Sequence, residues 1–162
     1  MYSGDATSHT KAFEGPFHRW GRKPALLGGD SAGTVDSMMT PLVLLVDDNE
    51  GNRDLMELHL EGLPIRCMVA SDGQGALESV AHSRPDLILL DVMMPKMSGF
   101  EVCRAIKSDE SLREIPIVMV TALDSVVDQD RAKSEGADGY LVKPIDRDGL
   151  RAEVSSRLNL DT

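Results

Sequence analysis

Four short apolar runs of this sequence each end in a polar residue whose side chain is suited to chemistry. Two adjacent carboxylates, Asp47 and Asp48, follow the first run, and a third, Asp91, follows a later one. The hydroxyl of Thr121 and the ammonium of Lys143 end the last two runs. If the runs are parallel strands, their carboxyl ends lie at one edge of a sheet, where open α/β proteins bind ligands. These five side chains are then predicted to converge.

Three carboxylates in one crevice repel each other, and a divalent cation is the natural compensation. Magnesium prefers oxygen ligands and binds through one or two carboxylates together with water and phosphate oxygens. A carboxylate such as Asp91 can attack phosphorus while a metal ion and Lys143 stabilise charge on the transferred group. Thr121 can donate a hydrogen bond to a phosphoryl oxygen. The set therefore indicates phosphoryl transfer assisted by Mg²⁺ or Mn²⁺.

The elements that must position these residues follow from the alternation of apolar runs and amphipathic stretches after residue 41, a pattern typical of βα units. The first, third and fourth runs are almost wholly apolar, so we place them at the sheet centre with helices on both faces. Strands are predicted over 42–46, 65–70, 87–90, 117–120 and 140–142, and helices over 52–60, 74–83, 99–107, 125–135 and 147–158.

Composition limits the classes of protein that fit. The chain has 162 residues, enough for one domain, and its 41% hydrophobic and 27% charged residues are typical of a globular fold. No apolar run approaches the roughly 20 residues that span a bilayer, so we expect a cytoplasmic protein without a membrane partner. A net charge of −10 argues against nucleic-acid binding. Cys67 and Cys103 show no metal-ligand spacing and are expected to be reduced.

The first 38 residues differ from the rest. They hold six of the fourteen glycines, and their four acidic and four basic residues cancel. Neither a helical nor an alternating period persists in them. We expect residues 1–38 to form a flexible N-terminal extension without an assigned function, and residues 39–162 to form the domain.

Four segments resemble the receiver domains of response regulators in two-component signalling. They are Leu-Val-Asp-Asp-Asn-Glu at 45–50, Asp-Val-Met-Met-Pro-Lys-Met-Ser-Gly-Phe-Glu at 91–101, Val-Thr-Ala at 120–122 and Gly-Ala-Asp-Gly-Tyr-Leu-Val-Lys-Pro at 136–144. No single segment is specific, but the four occur in the right order over 42–158. The resemblance implies a flavodoxin-like α/β fold, similar to chemotaxis receivers, with a doubly wound five-stranded parallel sheet in the order 2-1-3-4-5.

The same resemblance implies a phosphoacceptor and a metal site. Asp91 would accept a phosphoryl group from a histidine kinase or a histidine phosphotransfer protein, forming 4-aspartylphosphate. The metal would be bound by Asp48, Asp91 and the main-chain carbonyl of Met93, with Asp47 acting mainly through water.

The resemblance also implies a switch. Thr121 and Tyr140 match the pair in which the hydroxyl moves toward the phosphoryl group and the ring turns inward. Lys143 matches the lysine that pairs with the phosphate. Pro144 matches the proline that follows it, usually after a cis peptide bond.

The function implied is a signalling switch in a phosphorelay rather than a turnover enzyme. Phosphorylation would bias a two-state equilibrium and alter binding by the face formed by the fourth helix, fifth strand and fifth helix. No output domain is expected after residue 158, so the readout would be a downstream protein or a homodimer formed on phosphorylation.

Other functions use similar residues. An Asp-nucleophile phosphatase of the haloacid dehalogenase type also combines acids, threonine, lysine and magnesium, and we keep it as the alternative. It would need an Asp-x-Asp pair after the first strand, whereas the acids here are adjacent. A nucleotide-binding module is disfavoured because no glycine-rich phosphate loop follows a strand. A degenerate scaffold is disfavoured because every site position is present.

Overall fold

The computed structural model describes residues 39–161, in which five strands alternate with five helices. The predicted extension, residues 1–38, lies outside the described residues. Every predicted element is present, with boundaries shifted by no more than two residues. The strands are β1 (Leu42–Val46), β2 (Arg66–Ala70), β3 (Leu87–Leu90), β4 (Ile117–Thr121) and β5 (Gly139–Val142). The helices are α1 (Glu50–Leu60), α2 (Gly73–Ser83), α3 (Gly99–Ser108), α4 (Val126–Ser134) and α5 (Arg147–Leu158).

The five strands form one parallel sheet in the order β2-β1-β3-β4-β5, as predicted. Helices α1 and α5 pack on one face, where Met56, Leu60, Leu150 and Val154 meet side chains from β1, β3 and β4. Helices α2, α3 and α4 cover the other face. Two hydrophobic layers therefore enclose the sheet, and every strand ends at the same edge.

The central strands are the best buried, again as predicted. Each residue of β3 and β4 is buried, and β1 is buried beyond its first residue. The edge strands β2 and β5 are partly exposed. Burying a Leu, Ile or Val side chain stabilises a fold by roughly 1.5–3 kcal/mol. The strands that end in Asp47, Asp91 and Thr121 are therefore the most firmly held parts of the sheet.

Each helix begins with a side chain that caps its first turn at the edge where the strands end. The cap accepts a backbone hydrogen bond from the third residue of the helix, which satisfies a donor that would otherwise lack a partner. The caps are Asn49, Asp72, Ser98, Ser125 and Asp146, and Ser98 forms a reciprocal capping box with Glu101. These caps fix where each loop at this edge stops.

Both cysteines are free, with Cys103 buried and Cys67 half-buried. Burial raises the pKa of Cys67 to about 12 and that of Cys103 to about 11. The thiols are therefore neutral at ordinary pH. The reduced state expected from the sequence stays a prediction. Within residues 39–161, none of the helices has the length and apolar character needed to cross a bilayer.

Gly99 lies where α3 crosses the end of β3. A Cβ atom at this position would lie 2.2 Å from the backbone oxygen of Asp91 and 2.8 Å from Cα of Val92. The N–H of Gly99 donates to the carbonyl of Val92 at 2.9 Å. No side chain fits between these backbone atoms, so Gly99 allows α3 to hold the loop that follows Asp91.

We expect Gly99→Ala to destabilise the protein by about 1–3 kcal/mol or more, because the added methyl group must displace backbone atoms. Urea denaturation measures the change in unfolding free energy. Gly149→Ala is the matched control, since its Cβ would meet Asp146 Oδ1 at 3.2 Å. That change should remain below about 1 kcal/mol, the scale of helix propensity. Equal effects of the two substitutions would contradict the steric role of Gly99.

Candidate functional site

The three carboxylates predicted to converge lie together at the carboxyl edge of the sheet. Asp47 and Asp48 follow β1, and Asp91 follows β3, its neighbour in the sheet. One oxygen from each carboxylate lies within 4.8 Å of the others. Asp47 and Asp91 are buried, whereas Asp48 is exposed. Carboxylate oxygens at this spacing can bind a single divalent cation.

Lys143 reaches this cluster from the end of β5. Its Nζ lies 2.6 Å from Asp47 Oδ2 and 3.5 Å from Asp91 Oδ2. Its backbone N–H donates to the carbonyl of Thr121 at 2.8 Å, which continues the pairing of β4 and β5. The peptide bond between Lys143 and Pro144 is cis, as predicted. The ammonium therefore lies between two buried carboxylates and is closer to Asp47 than to Asp91.

Burial raises the pKa of the Asp91 carboxyl above its usual value. The ammonium of Lys143 opposes this rise, whereas the charge of Asp47 adds to it. The N–H of Met93 donates to Asp91 Oδ1 at 3.3 Å and also favours the carboxylate. The raised pKa therefore reflects mainly the loss of water around a partly buried carboxylate.

The donor set fits a divalent cation. With all four groups ionised, the three carboxylates and the Lys143 ammonium leave two negative charges to be neutralised. The ligands are oxygen atoms, which suits Mg²⁺ or Mn²⁺ rather than a thiophilic metal. The ligand role assigned to the main-chain carbonyl of Met93 stays a prediction.

Thr121 and Tyr140 are linked through one residue. Thr121 is fully buried at the end of β4, and its Oγ1 accepts from the N–H of Leu123 at 3.3 Å. The hydroxyl of Tyr140 donates to the carbonyl of the same Leu123 at 2.7 Å. Burial raises the pKa of Tyr140, and the nearby charges of Asp128 and Asp124 add to the rise. The loop before α4 therefore connects the two residues predicted to switch.

Asn52 belongs to the site and was missed by the sequence analysis. It lies in the first turn of α1, and its Nδ2 is 3.3 Å from Asp47 Oδ2 and 3.4 Å from Asp47 Oδ1. The sequence offers one signal for it, a polar amide five residues after Asp47 and three after the cap Asn49. That spacing places the amide over the start of the helix, toward the strand end.

Comparison with known proteins agrees with this geometry. The model of the response regulator receiver domain family matches residues 43–155 of the chain. Response regulator PleD of Caulobacter vibrioides is 46% identical over 118 residues, which are 73% of this chain and 26% of PleD. RpaA of Synechocystis, a DNA-binding dual master transcriptional regulator, is 37% identical over 118 residues. These cover 73% of this chain and 49% of RpaA. The chain thus spans half or less of these relatives' lengths.

Solved structures show the same fold. Chemotaxis protein CheY4 of Vibrio cholerae superposes with a TM-score of 0.68 at 32% identity, covering 72% of this chain and 98% of that one. A putative response regulator from Chloroflexus aurantiacus superposes with a TM-score of 0.71 at 28% identity, covering 74% of this chain and 98% of that one. The matches favour a receiver over the phosphatase kept as an alternative. This chain belongs to the response regulator receiver domain family.

Proposed function

We propose that the chain is a phosphorylation switch in which Asp91 takes a phosphoryl group from the phosphohistidine of a histidine kinase or a phosphotransfer protein. The observation that carries the proposal is Asp91 Oδ2 lying 3.5 Å from Lys143 Nζ, within a cluster of three carboxylates. An oxygen of Asp91 attacks phosphorus, the phosphorus–nitrogen bond breaks, and the electron pair returns to the imidazole. The product is an acyl phosphate on Asp91.

The neighbouring residues neutralise the charge that arrives with the phosphoryl group. Lys143 pairs with a phosphoryl oxygen, and the hydroxyl of Thr121 donates to another. Mg²⁺ or Mn²⁺ would be bound by Asp48, Asp91 and the carbonyl of Met93, with Asp47 acting through water. When bound, the ion supplies positive charge to the phosphoryl oxygens. The close approach of the carboxylate oxygens supports this assignment.

The proposed readout begins at Thr121. Movement of its hydroxyl toward the phosphoryl group would change its contact with Leu123, and thereby the contact of Tyr140 with the same residue. The following helix presents Val126 and Val127 to solvent, with 72% and 77% of each residue exposed. We propose that a downstream protein, or a second copy of the chain, binds the face formed by α4, β5 and α5.

We propose that residues 39–162 form the receiver domain, that residues 1–38 are an extension of it, and that the protein acts in the cytoplasm. It is a switch and does not turn over external substrates. The relatives named as DNA-binding are about twice as long as the part matched here, so DNA binding is stated of those proteins and not of this chain. The absence of nucleic-acid binding by this chain stays a prediction, supported by its net charge of −10.

Acetyl phosphate with Mg²⁺ should add a single phosphoryl group to the wild-type protein and none to Asp91→Asn, because the amide is a poor nucleophile. Intact-mass spectrometry measures the adduct. Asp86→Asn is a matched control, since Asp86 precedes β3 at the opposite end of the strand and accepts from the N–H of Leu42 at 2.7 Å. It should be phosphorylated like the wild type. An adduct retained by Asp91→Asn would contradict the assignment, and turnover of a small phosphoester would favour the phosphatase.

The raised pKa of Asp91 predicts that, without divalent cations, Asp91→Asn is more stable than the wild type at pH 7. The folded state binds the proton of Asp91 more tightly than the unfolded state does. The stability from this group is complete below the unfolded value of 3.8 and is lost as pH rises through the folded pKa. Asparagine is neutral at every pH and avoids this loss.

Urea denaturation in EDTA at a series of pH values measures the difference between wild type and Asp91→Asn. The advantage of the variant should shrink as pH falls and disappear below about 3.8. Added Mg²⁺ should stabilise the wild type more than the variant, because the variant lacks a carboxylate ligand. A variant less stable than the wild type at pH 7 in EDTA would contradict the prediction.

A further inference from the structure

The buried carboxylate of Asp47 is surrounded by donors. Its Oδ1 accepts from the N–H of Asn49 at 2.9 Å, and its Oδ2 accepts from Lys143 Nζ at 2.6 Å. The amide of Asn52 lies against both oxygens. A buried carboxylate is costly unless such donors compensate for lost water. Asp47 therefore depends on three residues, of which Lys143 alone carries a charge.

The helix cap sets the position of Asn52. Asn49 accepts a hydrogen bond from the backbone N–H of Asn52 at 3.0 Å, and this contact fixes the first turn of α1. From the same residue the side-chain amide extends to Asp47. The amide is half-buried and belongs to a helix that packs on the central strands. Its contact with Asp47 does not require a long, mobile side chain.

Lys143 has two possible partners and contacts one of them closely. Its Nζ is 0.9 Å nearer to Asp47 Oδ2 than to Asp91 Oδ2, at 2.6 Å against 3.5 Å. Pairing with a phosphoryl oxygen on Asp91, as proposed, draws this ammonium toward Asp91 and weakens its contact with Asp47. Once it moves, Asp47 retains the N–H of Asn49 and the amide of Asn52 as donors.

We infer that Asn52 is a positioning residue that releases Lys143 for the phosphoryl group by sharing the charge of Asp47. This inference rests on the proposed function and adds a residue to it. Without the amide, Asp47 has fewer donors and competes more strongly for the ammonium. Asn52 does not touch the reacting atoms, and it acts through the contact between Asp47 and Lys143.

The first test compares initial rates of phosphorylation by acetyl phosphate at saturating Mg²⁺, measured by intact mass. Asn52→Ala should lower the rate about two- to tenfold, the size expected for one long hydrogen bond from an uncharged donor. Asn52→Asp keeps the size of the side chain but cannot donate, so it should be slowed at least as much. Gln74→Ala is the control, because Gln74 also donates an amide to a carboxylate, Glu78, at 3.2 Å. Its rate should equal that of the wild type.

A second measurement separates this role from a structural one. The Mg²⁺ concentration giving half the maximal rate should change less than about twofold in Asn52→Ala, because the amide acts on Lys143 rather than on the ion. In a Lys143→Met background, Asn52→Ala should cause no further loss, since the residue through which it acts is gone. Thermal melts of each variant establish that it is folded at the assay temperature.

The results of these experiments separate a failure of the role inferred for Asn52 from a failure of the proposed function. A wild-type protein that takes up no phosphoryl group would overturn the proposed function. A wild-type protein that is phosphorylated while Asn52→Ala keeps its full rate would overturn only the role of Asn52. A loss that saturating Mg²⁺ restores would assign Asn52 to the metal site instead. If Asn52→Ala lowered the phosphorylation rate by the same factor in the wild type and in Lys143→Met, that result would also contradict the inference.

Discussion

The ammonium of Lys143 held between two buried aspartates is the interaction on which the site depends. It joins the end of edge strand β5 to the ends of β1 and β3, which lie further across the sheet. Without this charge, the buried carboxylates of Asp47 and Asp91 would face each other where water is scarce, with the exposed carboxylate of Asp48 beside them. The pKa of Asp91 is raised mainly by burial, and the charge of Lys143 opposes that rise. The negative charge of this crevice would favour a bound cation, and the carboxylate of Asp91 would act as the nucleophile toward a phosphoryl group.

Such a cluster needs a rigid support, and the hydrophobic layers supply it. The strands that carry Asp47 and Asp91 are buried between helices on both faces. The contact of Gly99 with the backbone of Asp91 then fixes the loop beyond β3. The packed backbone holds these carboxylates close together, so their repulsion persists in the folded state, where a bound cation or a proton would relieve it.

The path from the site to the surface is short and passes through a lightly packed helix. Of the nine residues of α4, one, Ala132, is buried. The helix is held near its C-terminal end, where Arg131 lies 4.3 Å from the ring centroid of Phe100 and Arg104 pairs with Glu135. Its N-terminal end follows the loop in which Leu123 contacts both Thr121 and Tyr140. A change at Thr121 would thus act on the end of α4 that has fewer buried contacts.

Local sequence patterns were sufficient to locate the elements, because strand and helix periodicities arise from backbone geometry within a few residues. The unbroken apolar runs predicted the central strands, and the polar residues after them predicted where the carboxylates and the ammonium would meet. The strand order came from the resemblance to receiver domains, since periodicity alone does not fix how strands are arranged. Residues 1–38 lie outside what the structure describes.

Only the tertiary structure decided which partner each polar group takes. Lys143 and Asp47 are 96 residues apart, and the sequence does not reveal that the lysine lies nearer to Asp47 than to Asp91. The contact of Asn52 with Asp47 and the exclusion of a side chain at Gly99 were also decided there. Side-chain types and strand ends follow from local sequence. Differences of an ångström between competing partners depend on how the helices pack on the sheet, and they decide which charges are paired.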